Sequence, residues 1–285
     1  MAMEKITLYT LQVDGYGEEM ASITLPLMKY YASKIGADFV VIKERRWPDL
    51  PPVMEKFQVY YLAQENGSDW NIFFDLDTLI HPEFWNPLPT LSRDTVSSGA
   101  QEVFQFPTSF LTKDTTCSGI SSDFVPIRFR PNQYFLRDGR FIGKGNWCGI
   151  FSNWCLDYYH PPEPMTVEHI EEMAQNIRLT VAEQNSGVMK PSHLIDDYIV
   201  SNNIARYGLK HTLISEIGNK FGVPTSHYLW HQYLHDMDKK IVMMRKQLEP
   251  STQTNPNGWG VQLVNIGNGH DTEIETEPAE QEVAG

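Results

Sequence analysis

Short apolar runs alternate with helix-like stretches through the first 80 residues, and this alternation constrains the fold more than any other feature. The runs 6–11, 39–42 and 71–74 are rich in β-branched and aromatic side chains, as buried strands are. Between them, 24–36 and 55–65 have the apolar spacing of helices, with a glycine at or just after the end of each. Strands that alternate with helices form mostly parallel sheets with right-handed crossovers. We therefore predict an α/β fold with a mostly parallel central sheet flanked by helices.

The second half of the chain carries weaker signals. The pattern predicts strands at 141–143, 147–151 and 228–230, and helices at 167–183, 196–207 and 237–248. Beyond 250 the sequence is polar and acidic, and it cannot bury enough apolar surface to offset its loss of conformational entropy. We predict one domain over 1–249, with halves 1–85 and 86–249, followed by a disordered acidic tail over 250–285.

The charge balance argues against nucleic-acid and membrane partners. The formal net charge is -13, more than half of it from seven acidic residues at or after Glu249, and the chain has no cluster of Lys or Arg. Such a surface repels phosphate groups and anionic lipid. The first residues lack the pattern of a secretory signal, and no apolar stretch is long enough to span a bilayer. The three cysteines lack disulfide or zinc-site spacing, so we expect reduced thiols in a soluble, cytoplasmic protein.

An acidic pair directly follows the third apolar run. Asp75 and Asp77 lie two residues apart, so a continuing strand would point both carboxylates to the same side. Ligands of open α/β sheets bind at the carboxyl ends of strands, where this pair and the turn-forming loop 12–17 are both expected. A divalent cation, Mn²⁺ or Mg²⁺, would relieve the repulsion and could also bind a diphosphate. The alternative is that both aspartates are solvated loop residues or helix caps.

Three segments together resemble one enzyme family. They are the helix-like Tyr31 to Gly36 (YASKIG), a helix that carries Lys56, and the strand with its acidic pair, Asn71 to Ile80 (NIFFDLDTLI). The same features occur in this order in GT-A glycosyltransferases, and the chain is most similar to the galactosyltransferase and mannosyltransferase-like families. The resemblance implies a GT-A, Rossmann-like fold. It also implies transfer of a sugar from a nucleotide-diphosphate donor, a UDP- or GDP-sugar, to a hydroxyl of a glycan or another acceptor.

The resemblance further implies roles for individual residues. The half 1–85 would hold the donor and the half 86–249 the acceptor, and Asp75 and Asp77 would bind the metal. The predicted donor-binding residues are Thr10, Leu11, Tyr16, Lys56, Asp75, Asn146 and Gly149. The last two belong to an Asn/Gly strand, for which 185–189 (NSGVM) is a rival that stands closer to the second acidic site than family members usually place it. For Lys56, a solvated helix position is the alternative.

Asp196 and Asp197 form the second acidic site. They begin an amphipathic helix, so one carboxylate could simply cap it and interact with its positive end. The functional interpretation is that one carboxylate reaches the sugar or the acceptor, as general base in an inverting reaction or as a stabiliser of the cationic sugar in a retaining one. We predict that Asp197 has this catalytic role, with Asp196 beside it.

Three histidines follow late in the chain. His227, His231 and His235 are spaced four apart and would share one face of a helix, but the intervening 228–230 (YLW) favours a strand. The resemblance implies a late histidine that binds the same metal as the acidic pair. We predict His231, at the end of that strand, with His227 and His235 as alternates. An ordinary hydrogen-bonded histidine is the competing interpretation.

Other functions fit part of this pattern. Phe74 to Asp77 (FDLD) is similar to the nucleophile strand of haloacid-dehalogenase phosphatases, in which the first aspartate attacks phosphorus. That motif needs threonine or valine two residues after the second aspartate, where this chain has Leu79, and the strand would be the first rather than the third. A nucleotidyltransferase needs a glycine-rich or basic phosphate loop, and 14–17 (DGYG) has no nearby Lys or Arg. A non-catalytic glycan-binding relative is the non-enzyme alternative.

Overall fold

The structure is a computed structural model that describes residues 4–99, 103–105, 140–142, 147–175, 177, 190–220, 222, 227–232, 236–263 and 274–276. Several of the features predicted above lie outside these ranges: Asn146, His235, the rival strand 185–189, and residues 264–273 and 277–285 of the predicted tail. The predicted helix 167–183 is described up to residue 175, with residue 177 after it.

Strands and helices alternate along the described residues. The strands are β1 Ile6–Leu11, β2 Ala37–Ile42, β3 Trp70–Phe74, β4 Thr78–Ile80, β5 Thr95–Ser98, β6 Val103–Gln105, β7 Arg140–Ile142, β8 Cys148–Ser152, β9 Lys210–Leu213, β10 Leu229–His231, β11 Val261–Leu263 and β12 Ile274–Thr276. The α-helices are α1 Glu18–Ile35, α2 Gln58–Asn66, α3 Val167–Gln175, α4 Ile195–Arg206, α5 Ile214–Lys220 and α6 Met237–Leu248. Short 3-10 helices cover Pro52–Phe57, Leu88–Thr90, Asn153–Tyr159 and Pro191–Leu194.

Six strands form the central sheet, in the order β2-β1-β3-β8-β5-β9. The neighbours β2, β1 and β3 are parallel, and β5 and β9 are parallel to each other. β8 runs antiparallel to both β3 and β5, so the other five strands share one direction. The predicted α/β fold with a mostly parallel central sheet is confirmed.

Both faces of this sheet are covered by helices. All five residues of β3 are buried, as its unbroken apolar run predicts for a parallel strand in the interior of a sheet. Phe73 packs in a core with residues of α2 and α4. Its neighbours Ile72 and Phe74 point to the opposite face and pack with Met28 and Tyr31 of α1. This arrangement places the partly exposed Asp75 and Asp77 directly after the buried strand.

Helix α1 differs from its predicted start. It begins at Glu18 and contains Pro26 in its interior, so the predicted start at residue 24 is wrong. Thr24 is fully buried, and its Oγ1 donates to the carbonyl of Met20 one turn earlier. The helix extends toward the first loop because Gly17, with φ +62°, adopts the left-handed conformation that starts it there. α1 therefore reaches the end of the sheet that carries the acidic pair.

Residues 250–263, which the sequence analysis places in the tail, pack against α6. The amide of Trp259 donates to the carbonyl of Gln247 at 2.8 Å. Val261 is buried in a cluster with Met244 and Leu248 of that helix. These two apolar residues give the segment a packed surface that its overall polar composition does not suggest. Among the described residues, no helix combines the length and the apolar character needed to cross a bilayer.

Candidate metal and active site

The end of β3 and the β4–β10 pair bring the acidic pair and His231 together. The amide of Asp75 donates to the carbonyl of Trp147, which keeps the end of β3 next to the residue that enters β8. The chain then turns, and β4 pairs with β10 in antiparallel register, so that Thr78 lies opposite His231. The amide of Gln232 donates to the carbonyl of Asp77 at 3.0 Å and extends this pairing by one residue.

Asp75, Asp77 and His231 form a group that could hold a metal ion. One ligand atom from each lies within 4.8 Å of the others. The Nε2 atom of His231 is 3.1 Å from Asp77 Oδ1 and 3.8 Å from Asp75 Oδ2. Two carboxylates and one imidazole, all largely buried, are a donor set that suits Mn²⁺ and leaves coordination positions for water or phosphate oxygens.

Trp147 fixes the ring of His231. The two rings stack with centroids 5.4 Å apart and planes 10° from parallel. Trp147 also stacks on Phe74 of β3, at 6.3 Å. Gly99 makes room for this indole, because a Cβ at position 99 would lie 2.3 Å from it. The imidazole orientation is thus set by packing against the same strand that ends in the acidic pair.

Lys56 lies between the two acidic sites. Its Nζ is 2.7 Å from Asp75 Oδ1 and 2.6 Å from Asp196 Oδ2, and both pairs are largely buried. Burial alone would lower the pKa of Lys56, but the charges of Asp196 and Asp75 outweigh it and raise this pKa well above its usual value. Lys56 is therefore a permanent cation that joins the start of α4 to the end of β3.

Lys240 is a second buried cation at the site, and the sequence analysis missed it. Its Nζ donates to Asp77 Oδ2 at 2.5 Å, from the face of α6 that packs on the protein. The signal was present in the sequence: residues 237, 241, 244 and 248 form an apolar stripe, and Lys240 lies within it. A lysine in the apolar stripe of a helix needs a buried counter-ion.

The pKa values of the two aspartates of the group are shifted in opposite directions. Burial raises the pKa of Asp75, and the charge of Asp77 adds to this, against the opposing effect of Lys56. Burial acts in the same direction on Asp77, but His231 and Lys240 outweigh it and hold the pKa of Asp77 well below its usual range. The surroundings thus favour the ionised form of Asp77, and they make Asp75 easier to protonate than Asp77.

The first loop contributes one of its three predicted residues to the surroundings of this group. Tyr16 is half-exposed, and burial raises the pKa of its hydroxyl, while Lys240 lowers it and Asp77 raises it further. Thr10 is fully buried in β1, and its Oγ1 has no hydrogen-bond partner among the described residues. Leu11 is partly buried against the core. The side chain of Thr10 therefore lies in the core, and that of Leu11 packs against the core.

The remaining predicted residues lie farther along the sheet and on α4. Gly149 is in β8, opposite Phe73 of β3, and a Cβ there would lie 2.8 Å from Tyr158 and 2.9 Å from Tyr159. Close packing of these two rings is thus a sufficient reason for a glycine at this position. Asp197 is partly exposed and follows Asp196 at the start of α4, where its charge also raises the pKa of Lys56. His227 is exposed, so His231 is the described histidine that joins the group.

Comparison with known proteins gives distant structural matches. No protein-family model matches the sequence, and no curated protein matches it. A solved glycosyltransferase involved in the glycosylation of the major capsid of PBCV-1 is similar over 85% of this chain and 98% of its own, with 9% identity and a TM-score of 0.43. The protein A197 from STIV is similar over 74% of this chain and 81% of its own, with 10% identity and a TM-score of 0.36. One distant structural neighbour is therefore a glycosyltransferase, but at these TM-scores the function must be argued from the site.

Proposed function

We propose that the protein is a metal-dependent glycosyltransferase of the GT-A type. The observation that carries this proposal is the Asp75, Asp77 and His231 group at the carboxyl end of β3, flanked by the buried cations Lys56 and Lys240. A site with two carboxylates, an imidazole and two lysines suits a divalent cation and a diphosphate together. In this proposal the domain 1–249 holds the donor with its first 85 residues and the acceptor with the rest.

Different residues of the chain would bind the metal, the phosphates and the nucleotide of the donor. Asp75, Asp77 and His231 would hold Mn²⁺ or Mg²⁺, which when bound supplies charge neutralisation for the departing nucleoside diphosphate. Asp77 is the one carboxylate among the described residues that forms an ion pair with Lys240, so the ammonium can exchange this partner for a phosphate oxygen when the carboxylate binds metal. Tyr16 stands at the same opening and offers an aromatic face to the nucleotide.

The second acidic site would act on the sugar or the acceptor. Asp196 is buried and forms an ion pair with Lys56, whereas the neighbouring Asp197 is partly exposed. A carboxylate in that place serves an inverting reaction as general base, and a retaining one as a stabiliser of the cationic sugar. We assign Asp197 this role, with the hydroxyl of a glycan as acceptor and a UDP- or GDP-sugar as donor.

A thermal-shift experiment tests the proposal. The melting temperature of the wild-type protein is measured with UDP, GDP and their sugars, each with and without Mn²⁺ or Mg²⁺, because a ligand that binds the folded state raises it. We expect a shift with one nucleoside diphosphate that requires the metal. Asp75→Asn, Asp77→Asn and His231→Ala should abolish it, whereas Asp94→Asn, which breaks an exposed pair with Lys210 at the far edge of the sheet, should not.

Two outcomes contradict the proposed site and chemistry, and a third contradicts only the proposal that the protein is an enzyme. One is a metal-dependent shift that survives both Asp75→Asn and Asp77→Asn, since the metal would then bind elsewhere. The other is the absence of any nucleotide shift together with metal-dependent hydrolysis of a phosphate monoester, which would favour the phosphatase alternative. Binding of nucleotide-sugar without donor hydrolysis or transfer to any acceptor would favour a non-catalytic glycan-binding relative.

A further inference from the structure

Glu55 is a buried anchor directly before Lys56. Its side chain is fully buried, and its two oxygens accept hydrogen bonds from four donors. Arg45 Nε donates at 2.8 Å, the amides of Arg46 and Trp47 at 2.9 Å, and Gln58 Nε2 at 2.7 Å. A buried carboxylate with this many donors is held firmly. The segment after β2 and the chain around Lys56 are thereby fixed to each other.

Arg45 extends this anchor to the first loop. Its Nη1 donates to Asp14 Oδ2 at 2.5 Å, while Nη2 donates to the carbonyls of Trp47, Pro48 and Leu50. The guanidinium is mostly buried, with 15% of the side chain exposed, whereas Asp14 is 56% exposed. The planar fork of arginine makes these bonds simultaneously, which the single ammonium of lysine cannot do.

Asp14 has a conformation that needs support. Its φ is +55°, in the left-handed region that residues other than glycine, asparagine and aspartate rarely adopt. Two residues later, the amide of Tyr16 donates to the carbonyl of Val13 and closes the turn. The hydroxyl of Tyr16 hydrogen-bonds with Lys240, so the position of Tyr16 beside the acidic group depends on the turn that Asp14 forms. Arg45 holds that turn through its ion pair with Asp14.

We propose that Arg45 is a positioning residue that holds the loop 13–17 in place for the nucleotide, through its ion pair with Asp14 and with Glu55 as its anchor. This inference rests on the proposed function, because it assigns Tyr16 a contact with the donor. Arg45 itself touches no reacting atom. It sets the affinity for the nucleoside diphosphate by fixing the loop in its binding conformation before the ligand arrives, which lowers the entropic cost of binding.

Two conservative variants test this role. Asp14→Asn removes the charge but keeps a residue that tolerates positive φ, and Arg45→Lys keeps the charge but cannot make the forked contacts. Binding of UDP and GDP in the presence of Mn²⁺, and binding of Mn²⁺ alone, are measured by calorimetry. We expect each variant to weaken nucleotide binding about tenfold and to leave Mn²⁺ binding unchanged. Asp94→Asn is the matched control, an exposed aspartate in an ion pair elsewhere, and should change neither.

A double-mutant cycle separates positioning from a general structural effect. If Asp14 acts through Tyr16, Asp14→Asn should cause little further loss in a Tyr16→Ala background. Full additivity of the two changes, or unchanged nucleotide affinity in Asp14→Asn and Arg45→Lys, would overturn the positioning role while leaving the proposed function intact. Absence of any UDP or GDP binding by the wild-type protein with Mn²⁺ would instead overturn the proposed function and this inference with it.

Discussion

Asp75 and Asp77 are two residues apart, yet different parts of the molecule hold them. On the Lys56 side of the site, Asp75 at the end of β3 and Asp196 of α4 share one lysine, Lys56, which lies in the 3-10 helix Pro52–Phe57. On the Lys240 side, Asp77 pairs with Lys240 of α6 and with His231 of β10, which lies nearer to Asp77, at 3.1 Å, than to Asp75, at 3.8 Å. The first side thus has one lysine for two carboxylates, whereas the second has a lysine and an imidazole for one carboxylate.

This difference separates a fixed cation from an exchangeable one. Moving Lys56 away would leave two buried carboxylates without a counter-ion, which is energetically costly. Lys56 therefore keeps both ion pairs and holds α4 against β3. If Lys240 moves away, one carboxylate, that of Asp77, loses its lysine partner, and a bound metal ion can neutralise that carboxylate instead. The ion pairs of Lys56 therefore stabilise the folded site, whereas Lys240 can change its partner when a ligand binds.

The largest expected effect is on the Lys56 side. Lys56→Met leaves Asp75 and Asp196 buried without their common counter-ion, so the free energy of unfolding should fall by about 3–5 kcal/mol. Urea unfolding in the absence of metal measures it. Lys210→Met is the matched control, because it removes a lysine from an exposed pair with Asp94 and should cause no measurable loss. Equal losses in the two variants would mean that the Lys56 side does not hold the fold together.

A smaller effect should distinguish the two aspartates by its sign. Asp77→Asn leaves the buried Lys240 without a charged partner and should lower the free energy of unfolding by about 1–3 kcal/mol at neutral pH. Asp75→Asn relieves a carboxylate whose pKa is raised by burial and by Asp77, and Asp196 still neutralises Lys56, so stability should be unchanged or higher. Urea unfolding without metal checks both, and a loss in Asp75→Asn equal to that in Asp77→Asn would contradict the comparison.

The pH dependence of these two variants follows from the directions of the pKa shifts. The pKa of Asp77 is lowered on folding, so its stabilisation is complete above the unfolded value of about 4 and is lost as the pH falls toward the folded value. The deficit of Asp77→Asn should therefore shrink in acid. The pKa of Asp75 is raised, so its ionisation destabilises the fold as the pH rises above about 4, and any gain in Asp75→Asn should grow over that window. Unfolding curves at several pH values measure both trends.

The sequence predicted the metal-binding group but not the ion pairs that the two lysines make around it. The acidic pair after a buried strand, and a histidine at the end of a later strand, are local patterns, and the structure brings those three residues together. The contact of Lys56 with Asp196 joins residues 140 positions apart, and no local spacing indicates it. Lys240 was missed because a lysine on a helix is usually solvated, and only its place in an apolar stripe marked it. The predicted start of α1 was wrong because the helix begins after a glycine in the left-handed conformation, Gly17, rather than after a polar capping side chain.

The smallest expected effect is on metal affinity at Lys240. In the protein without nucleotide, its ammonium competes with a cation for Asp77, so Lys240→Met should bind Mn²⁺ more tightly, by about tenfold for a change of about 1.4 kcal/mol. The same variant should bind UDP or GDP less well in the presence of Mn²⁺, because a phosphate partner is lost. Calorimetric titrations give both values, with Lys239→Met as control, since that neighbouring lysine is exposed and pairs with Asp236. Opposite signs for the metal and the nucleotide would identify an exchangeable cation, whereas weakening of both would show that Lys240, like Lys56, only builds the site.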